Sequence, residues 1–578
     1  MKKIGGGLEA HFSKSRFSLT TPSITEDSIA AKYNMSEKLD RRINNLISKK
    51  YILKADITRY YPSIYTHSIP WALHSKEVIK ANQKDDRYFG NEIDRLVRNL
   101  QDGQTVGIPI GPVASFIIQE IVGTTIDDDF KKEYGEGLVG FRYTDDMEYY
   151  FSSLEEAERA LSVLNKTLKN YGLDLNNSKT RIVKIPQVLE PEWLYSLRKY
   201  EFRRNTKDYK TSIKLQYTDI KEYFSIAFKF KIQSDEKGIL NYAVKALRYV
   251  VIYKENWDIF ESLLLQSILV DPSIIPTVFE TIEGYKYRGY PLNYGRITDF
   301  LNALIRDNVE LRNDFEVSWG LSFAAKLNIS MEEDVSKLLL KNDNAIVNIL
   351  VMVLNSKNLL EGSLDFSYYE ALLVEESLYD SNWLFYYECC IHGWLGKDKN
   401  SQHIKSDKFF VQLLNNNISF VNPTYSKVLD ELINSIISLC MKHYRTDMKT
   451  LGAKDVISKV IEKYSFAIEK DLIEDLESRL ENKIKKLELE DQKSDVETEK
   501  ANGTVDEAEE NKGKGEETRE AKEKDEKSGE SEGKKEEAEE IPKEGRSQIN
   551  KNDWLFHFLT TNINKANDIG AFVIDEKY

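Results

Sequence analysis

The stretch Phe141-Arg142-Tyr143-Thr144-Asp145-Asp146 constrains this chain more than any other, because it sets two adjacent carboxylates between apolar-aromatic runs at 138–141 and 147–151. Two runs of β-favouring residues around a short polar turn predict a β-hairpin with acid at its tip. Such a hairpin fixes both carboxylates at one end of a sheet, and divalent cations of the magnesium type take hard oxygen ligands of this kind. Asp56 stands 89 residues before Asp145 and ends a second strand-like run, Tyr51-Ile52-Leu53-Lys54-Ala55. Neighbouring strands would bring three carboxylates together, a donor set that suits two metal ions and phosphoryl transfer. Taken singly each feature is ordinary: an Asp-Asp turn is commonly solvated, and an Asp at a strand end is commonly a cap or turn residue.

Asp56 followed five positions later by the aromatic Tyr61 resembles motif A of the reverse transcriptases, and Tyr143-Thr144-Asp145-Asp146 resembles their motif C. Between them, Gly107-Ile108-Pro109-Ile110-Gly111-Pro112, with Ser115 and the apolar run 116–122, is similar to motif B, a loop feeding a helix that supports template and incoming nucleotide. Tyr171-Gly172-Leu173-Asp174-Leu175-Asn176-Asn177-Ser178-Lys179-Thr180 is similar to motif D. The four stand in the family's order. The resemblance implies an α+β fold with a right-hand polymerase palm. It makes Asp56 and Asp145 the main ligands of two Mg2+ ions, for which Mn2+ can substitute, with Asp146 assisting and the backbone carbonyl of Ile57 completing the site. It makes Lys179 the proton donor to the leaving pyrophosphate. It places the Tyr61 ring under the sugar, where a 2'-hydroxyl clashes, and gives Gly107, Pro109 and Gly111 a backbone that admits the nucleotide closely. The competing readings are a core aromatic for Tyr61, a solvated lysine for Lys179 and an ordinary turn for the Gly-Pro run.

The chain departs from the family twice. Ile110 stands where motif B commonly has a glutamine, so the polar contact to template or nucleotide is altered. Only 55 residues precede Asp56, fewer than complete fingers need; either the chain is naturally short or an upstream piece belongs before it. Arg41, Arg42, Lys49, Lys50 and Lys54 are candidate triphosphate or backbone contacts there, with a solvated face as the alternative. From Arg198 to Lys231, ten basic and four acidic residues alternate with aromatics, the composition of a surface that holds phosphates and stacks bases. Arg198, Lys199, Arg203 and Arg204 are the candidate nucleic-acid contacts, placed where a polymerase carries its thumb.

The formal charge of −14 is unevenly distributed: residues 491–546 hold 21 acidic and 12 basic residues and no aromatics, leaving −5 for the rest. That segment cannot bury enough apolar surface to offset its ordering entropy and reads as a disordered linker. Residues 547–578 regain an apolar pattern and are expected to dock back on the folded body. Helix-length amphipathic segments recur at 237–253, 256–270, 295–306, 316–328, 343–356, 381–394, 406–416 and 425–444, with a longer charged helix at 472–489. They predict an all-α, HEAT-like helical repeat domain. The expected organisation is partial fingers at 1–55, palm with motifs A to D at 56–190, a basic thumb-like connector at 191–235, the helical repeat at 236–490, then linker and docking segment. Cys389, Cys390 and Cys440 read as buried thiols, because Cys389, Cys390, His392 and His403 match no common zinc spacing. No apolar run reaches the roughly 18 residues of a membrane helix and the start lacks a secretory pattern, so the expectation is a cytoplasmic protein with no membrane contact.

A reverse transcriptase core followed by helical repeats resembles the abortive-infection and defence-associated reverse transcriptases of bacteria. Tyr65-Thr66-His67-Ser68-Ile69-Pro70-Trp71 and Trp383-Leu384-Phe385-Tyr386-Tyr387-Glu388 strengthen that comparison. It implies an RNA-directed or template-independent DNA polymerase acting in antiphage defence. Its partners would be deoxynucleotides and the DNA product, with a noncoding RNA and a second copy of the chain as further candidates. Two alternatives stand beside it: conventional templated reverse transcription of retron or intron type, and an inactive polymerase-fold scaffold that binds RNA or protein.

Overall fold

The structure is a computed structural model that describes residues 8–485 apart from 25–28, 34–36, 204, 206–207, 235, 237, 249, 396, 423–424, 445–447 and 465–472. Arg204, the charged segment 491–546 and the apolar segment 547–578 lie outside the described residues. The chain divides into two compact units. Among the described residues, the first runs to residue 248 and takes in Val270–Ile274, and the second holds Val250–Leu269 and the described part of Ile275–His557. No helix among the described residues is long and apolar enough to cross a membrane.

In the first unit, β1 (Pro22–Ile24) and β2 (Ile29–Ala31) form a short hairpin. The main sheet holds β3 (Tyr51–Asp56), β4 (Gly140–Tyr143), β5 (Asp146–Phe151) and β6 (Arg181–Lys184) in the antiparallel order β4-β5-β3-β6. Successive side chains of a strand face opposite ways, so Leu53 and Ala55 share the core face with Met147, Tyr149 and Phe151. Two helices cover that face: α2 (Val113–Tyr134), through Ile118, Val122, Ile126 and Phe130, and α3 (Leu154–Asn170), through Ala157, Ala160, Leu164 and Leu168. Each fully buried large apolar side chain contributes about 1.5–3 kcal/mol. A capping box fixes the start of α3: the Ser153 hydroxyl accepts from the Glu156 N–H, and the Glu156 carboxylate accepts from the Ser153 N–H. The other face of the sheet carries Lys54, Asp56, Asp146 and Glu148, with α1 (Glu37–Asn45) beside it.

The outer edge of β4 is covered. Arg142 N–H donates to the Phe17 carbonyl at 2.8 Å, and Leu19 N–H donates to the Arg142 carbonyl at 2.8 Å, so residues 17–19 lie along the strand. Unpaired edges invite pairing with other chains. The 198–231 region, read from sequence as a basic stretch interleaved with aromatics, overlaps the 25-residue helix Tyr209–Gln233, capped by Asp208 on the N–H groups of Lys210 and Thr211.

The second unit is helical wherever it is regular among the described residues. Tyr294–Val309 packs on Asp314–Leu327, which packs on Ala345–Ser356, which packs on Trp383–His392. Phe279 and Phe323 stack at 4.1 Å. The helix expected over 237–253 ends at Leu247, before the β-branched run Val250-Val251-Ile252. The helix Ile275–Tyr287 was not among the expected segments; its Pro276 falls in the first turn, where a missing N–H costs nothing. Cys389, Cys390 and Cys440 are buried free thiols. His392 bonds Glu388 and Ser419 at 3.0 and 3.1 Å rather than the cysteines.

Candidate active site

Antiparallel pairing of β3 with β5 sets Asp56 directly opposite Asp146 at one end of the sheet. Thr144 and Asp145 form the two-residue turn between β4 and β5, with Thr144 at φ 59°, the left-handed conformation that tight hairpin turns demand. Ile57 N–H donates to the Asp145 carbonyl at 3.2 Å and draws the turn toward the end of β3. Three carboxylates therefore share one sheet end.

Each is balanced differently. Asp56 accepts from Lys179 Nζ at 2.9 Å and from Asn176 Nδ2 at 3.1 Å, and its carbonyl accepts from Asn176 N–H at 2.8 Å. The segment 174–179 is held there because Thr58 N–H donates to the Asp174 carbonyl and Ile57 bridges Leu175. Asp146 pairs with Lys38 Nζ at 2.5 Å. Asp145 has no ion pair among the described residues; burial, then the charges of Asp56 and Asp146, push its carboxyl up to about 6. The hydrogen bond to Asp56 holds the Lys179 ammonium above its ordinary pKa, against partial burial, with further support from the three carboxylates. Among the described residues no three acidic, histidine or cysteine side chains are preset around one ion, since two of these aspartates lean on lysines. The donor chemistry nevertheless fits a divalent cation: hard oxygens, clustered charge and one carboxylate with no cation of its own.

Tyr61 is half-buried against the core, and burial, followed by the Asp145 and Glu120 charges, raises its hydroxyl pKa. The loop 107–111 is tied to the same segment: Gly107 N–H donates to the Ile64 carbonyl at 2.8 Å and Ile108 N–H to the Tyr61 carbonyl at 3.0 Å. Gly107 and Gly111 stand at φ 93° and 119°, and a Cβ on Gly107 would meet the Pro62 carbonyl oxygen at 3.2 Å. Pro109 is exposed on the loop. The basic candidates sit apart from one another in their bonding: Arg198 pairs with Glu190 at 2.8 Å, Arg203 pairs with the buried Asp219, and Lys199 is exposed without an ion pair among the described residues.

Two sets of partners escaped the sequence reading, which named Arg42 only as a candidate triphosphate or backbone contact. On the open face, Arg42 forms a two-pronged pair with buried Glu148, which also accepts from the Tyr150 hydroxyl at 2.9 Å. The i, i+4 spacing of Lys38 and Arg42, matched to the i, i+2 spacing of Asp146 and Glu148, was the available signal. On the core face lies Arg142, 1% exposed, with Glu120 at 0% and Asp127 at 1%. Arg142 Nε donates to both Asp127 oxygens (3.1 and 2.9 Å), Nη2 and Nη1 to Glu120 (2.9 and 3.2 Å), and Nη1 also to the Thr144 carbonyl at 3.0 Å. Hydroxyls complete the shell: Ser15 donates to Asp127 at 2.6 Å, Thr20 donates to Glu120 at 3.0 Å, and Ser18 donates to Glu120. Thr144 N–H donates to the Thr20 hydroxyl at 3.3 Å, so both backbone groups of the turn residue before Asp145 are held. Strand alternation places Arg142 on the inner face, and Glu120 and Asp127 recur at i, i+7 within an apolar helix; a buried arginine facing two acids was legible in that pattern.

Residues 5–215 match the family described as reverse transcriptase (RNA-dependent DNA polymerase). No curated protein matches the chain. Among solved structures it is similar to telomerase from Candida albicans in complex with a TWJ fragment of telomeric RNA, at 13% identity and TM-score 0.23, over 49% of this chain and 54% of that one. Telomerase from Candida tropicalis matches with the RNA fragment (15%, 0.25, 60% and 53%) and in the apo form (14%, 0.25, 54% and 54%). The chain spans about half the length of these structures.

Proposed function

We propose that this chain, whose residues 5–215 carry a reverse transcriptase domain, is a DNA polymerase that adds deoxynucleotides at the end of its palm sheet, acting in antiphage defence. The observation that carries the reading is the facing pair Asp56 and Asp146 with Asp145 in the adjoining turn. In this reading Asp56 and Asp145 hold two magnesium ions, Asp146 assists, and the Ile57 carbonyl completes the ligand set. Bound there, the ions supply Lewis acidity for the attacking hydroxyl and for the charge that develops on the pyrophosphate.

The chain's own residues do the rest. Lys179, already within 2.9 Å of Asp56, stands ready to give a proton to the leaving pyrophosphate once the aspartate turns to its new partner. The Tyr61 ring forms the floor for the sugar and rejects a 2'-hydroxyl. The loop bearing Gly107, Pro109 and Gly111, tied by backbone bonds to Tyr61 and Ile64, sets the nucleotide against that floor. Arg198, Lys199, Arg203 and Arg204 hold the strand leaving the palm, with Arg198 and Arg203 exchanging carboxylate partners for phosphates. We assign partial fingers to 1–55, palm to 56–190, thumb-like connector to 191–235 and a HEAT-like surface to 236–490, followed by linker 491–546 and docking segment 547–578, in a cytoplasmic protein.

A second reading, an inactive scaffold that binds RNA or protein, is favoured by one observation: Lys38 and Lys179 neutralise two of the three carboxylates. Labelled deoxynucleotide incorporation with magnesium or manganese, with and without template and primer, separates these readings when the Asp145→Ala/Asp146→Ala variant is run beside the wild type. Signal lost in the variant supports the polymerase, and strict template dependence assigns it to conventional reverse transcription. Signal retained in the folded variant sinks the carboxylate assignment, and no signal from wild type under any condition leaves the scaffold.

A further inference from the structure

Helix α1 has two polar faces, and only one is engaged. Lys38 and Arg42, one turn apart, reach the sheet carboxylates Asp146 and Glu148. Arg41, Asn44 and Asn45 line a separate cleft of about 350 Å³ with Arg16, Phe17 and Gly140. At 100° per residue the two sets adjoin: Arg41 and Asn44 lie on the side next to Lys38 and Arg42, with Asn45 between them. Gly140 begins β4 and Thr144 follows its end, so the cleft lies about 14 Å along the strand from the carboxylate turn.

The lining offers donors and no carboxylate. Arg16 gives one N–H, from Nη2, to the Leu138 carbonyl at 2.6 Å and rests over the Phe17 ring at 5.2 Å. Arg41 rests over the Tyr33 ring at 5.0 Å, and its Glu37 neighbour is 4.0 Å away. The remaining guanidinium N–H groups and the side-chain amides of Asn44 and Asn45 have no hydrogen-bond partner among the described residues. A guanidinium already seated on a ring loses little freedom on binding, and its planar fork matches phosphate oxygens. The cleft falls at the small end of the roughly 300–1,000 Å³ range of ligand pockets.

We propose that this cleft is a second nucleic-acid site, which grips the sugar-phosphate backbone of a single strand through Arg16 and Arg41, with Asn44 and Asn45 as neutral donors. Because α1 carries both faces, a strand seated there is held by the helix that also places Lys38 and Arg42 against the catalytic end of the sheet. The identity of the ligand rests on the polymerase reading; the phosphate chemistry rests on the cleft.

The test is fluorescence anisotropy of a labelled single-stranded oligonucleotide on the full chain in EDTA, titrated across a range of KCl. Each phosphate contact contributes about 0.7 to the slope of log Kobs against log salt for single strands. Arg41→Gln should lower the slope by about 0.7 and Arg16→Gln/Arg41→Gln by about 1.4. Asn44→Asp, an exposed change that brings a carboxylate to the cleft, should weaken binding without touching the Arg16 bond to Leu138, and keeps the test valid if Arg16→Gln disturbs folding. Unchanged slope and affinity in Arg41→Gln and Asn44→Asp overturn the site. Displacement of the oligonucleotide by millimolar deoxynucleoside monophosphate, lost in Arg41→Gln, replaces the strand by a free nucleotide and overturns the proposal as stated. A raised KM for deoxynucleotides in Arg41→Gln with an unchanged slope overturns it too, by making Arg41 a triphosphate contact. Because binding is read without metal or turnover, a chain that grips strands through the cleft yet incorporates nothing sinks the polymerase reading and leaves the cleft standing.

Discussion

The β4–β5 hairpin carries charge on both faces, and the two faces treat it oppositely. Above the sheet, Asp56, Asp145 and Asp146 crowd together with Lys38 and Lys179 as partly solvated partners. Below it, Arg142, Glu120 and Asp127 are sealed from water and every guanidinium nitrogen has an acceptor. In the upper cluster Asp146 and Lys179 reach solvent while Asp56 and Asp145 are buried; the lower one is sealed throughout and fixes position. The same residue types are balanced differently on the two faces: every charge of the sealed network is paired, whereas Asp145 has no ion pair among the described residues.

Substitutions should separate the two faces. The largest effect on chemistry belongs above: Asp145→Ala/Asp146→Ala should bring deoxynucleotide incorporation to background while the thermal midpoint stays level or rises, because like charges are removed. A comparable loss of stability in that variant breaks the contrast. The largest effect on stability belongs below. Arg142→Met leaves two buried acids without their cation and should cost about 3–5 kcal/mol in urea unfolding. Adding Glu120→Gln and Asp127→Asn should return much of it, and failure of that rescue would falsify the role of charge in the network. Lys179→Gln should slow incorporation by about a hundredfold, yet change stability by only about 0–1 kcal/mol, since its ammonium side chain is 59% exposed.

Smaller effects sharpen the picture. A Cβ on Gly123 would lie 2.7 Å from the Arg142 guanidinium carbon, so Gly123→Ala should destabilise by about 1–3 kcal/mol by pushing on the buried network. The smallest concerns His11, whose ring lies 2.9 Å from the Ile121 carbonyl and whose pKa burial lowers from the ordinary 6.5, with a smaller push from Lys14 and opposing pulls from that carbonyl, Asp128 and Glu120. A lowered folded-state pKa means that its contribution is complete above pH 6.5 and is lost as pH falls through the lower folded value. His11→Gln should therefore flatten the loss of stability below pH 6.5, read as urea midpoints; an unchanged pH profile removes His11 as the anchor of the segment that supplies Ser15, Ser18 and Thr20.

Much of the sheet of the first unit was legible because its signals are local. Runs of β-favouring residues mark β3 and β5, and the apolar run 116–122 marks α2. The reading failed where neighbours in space are remote in sequence. Lys38 meets Asp146 across 108 positions, and Lys179 meets Asp56 across 123. The helix Tyr209–Gln233 was obscured by its charge, since a basic stretch reads the same whether coiled or helical.

The sequence by itself determined that two acids sit on a hairpin tip, that a third ends another strand, and that motifs similar to those of reverse transcriptases follow in order, because strand alternation and turn chemistry act over a few residues. Only the tertiary structure decided that Asp56 faces Asp146, that each leans on its own lysine while Asp145 has none among the described residues, and that Arg142 closes a buried network under the turn. Register between strands some ninety residues apart and the depth of a charge below the surface are properties of the packed chain, and they set both which charges pair and what an unpaired one costs.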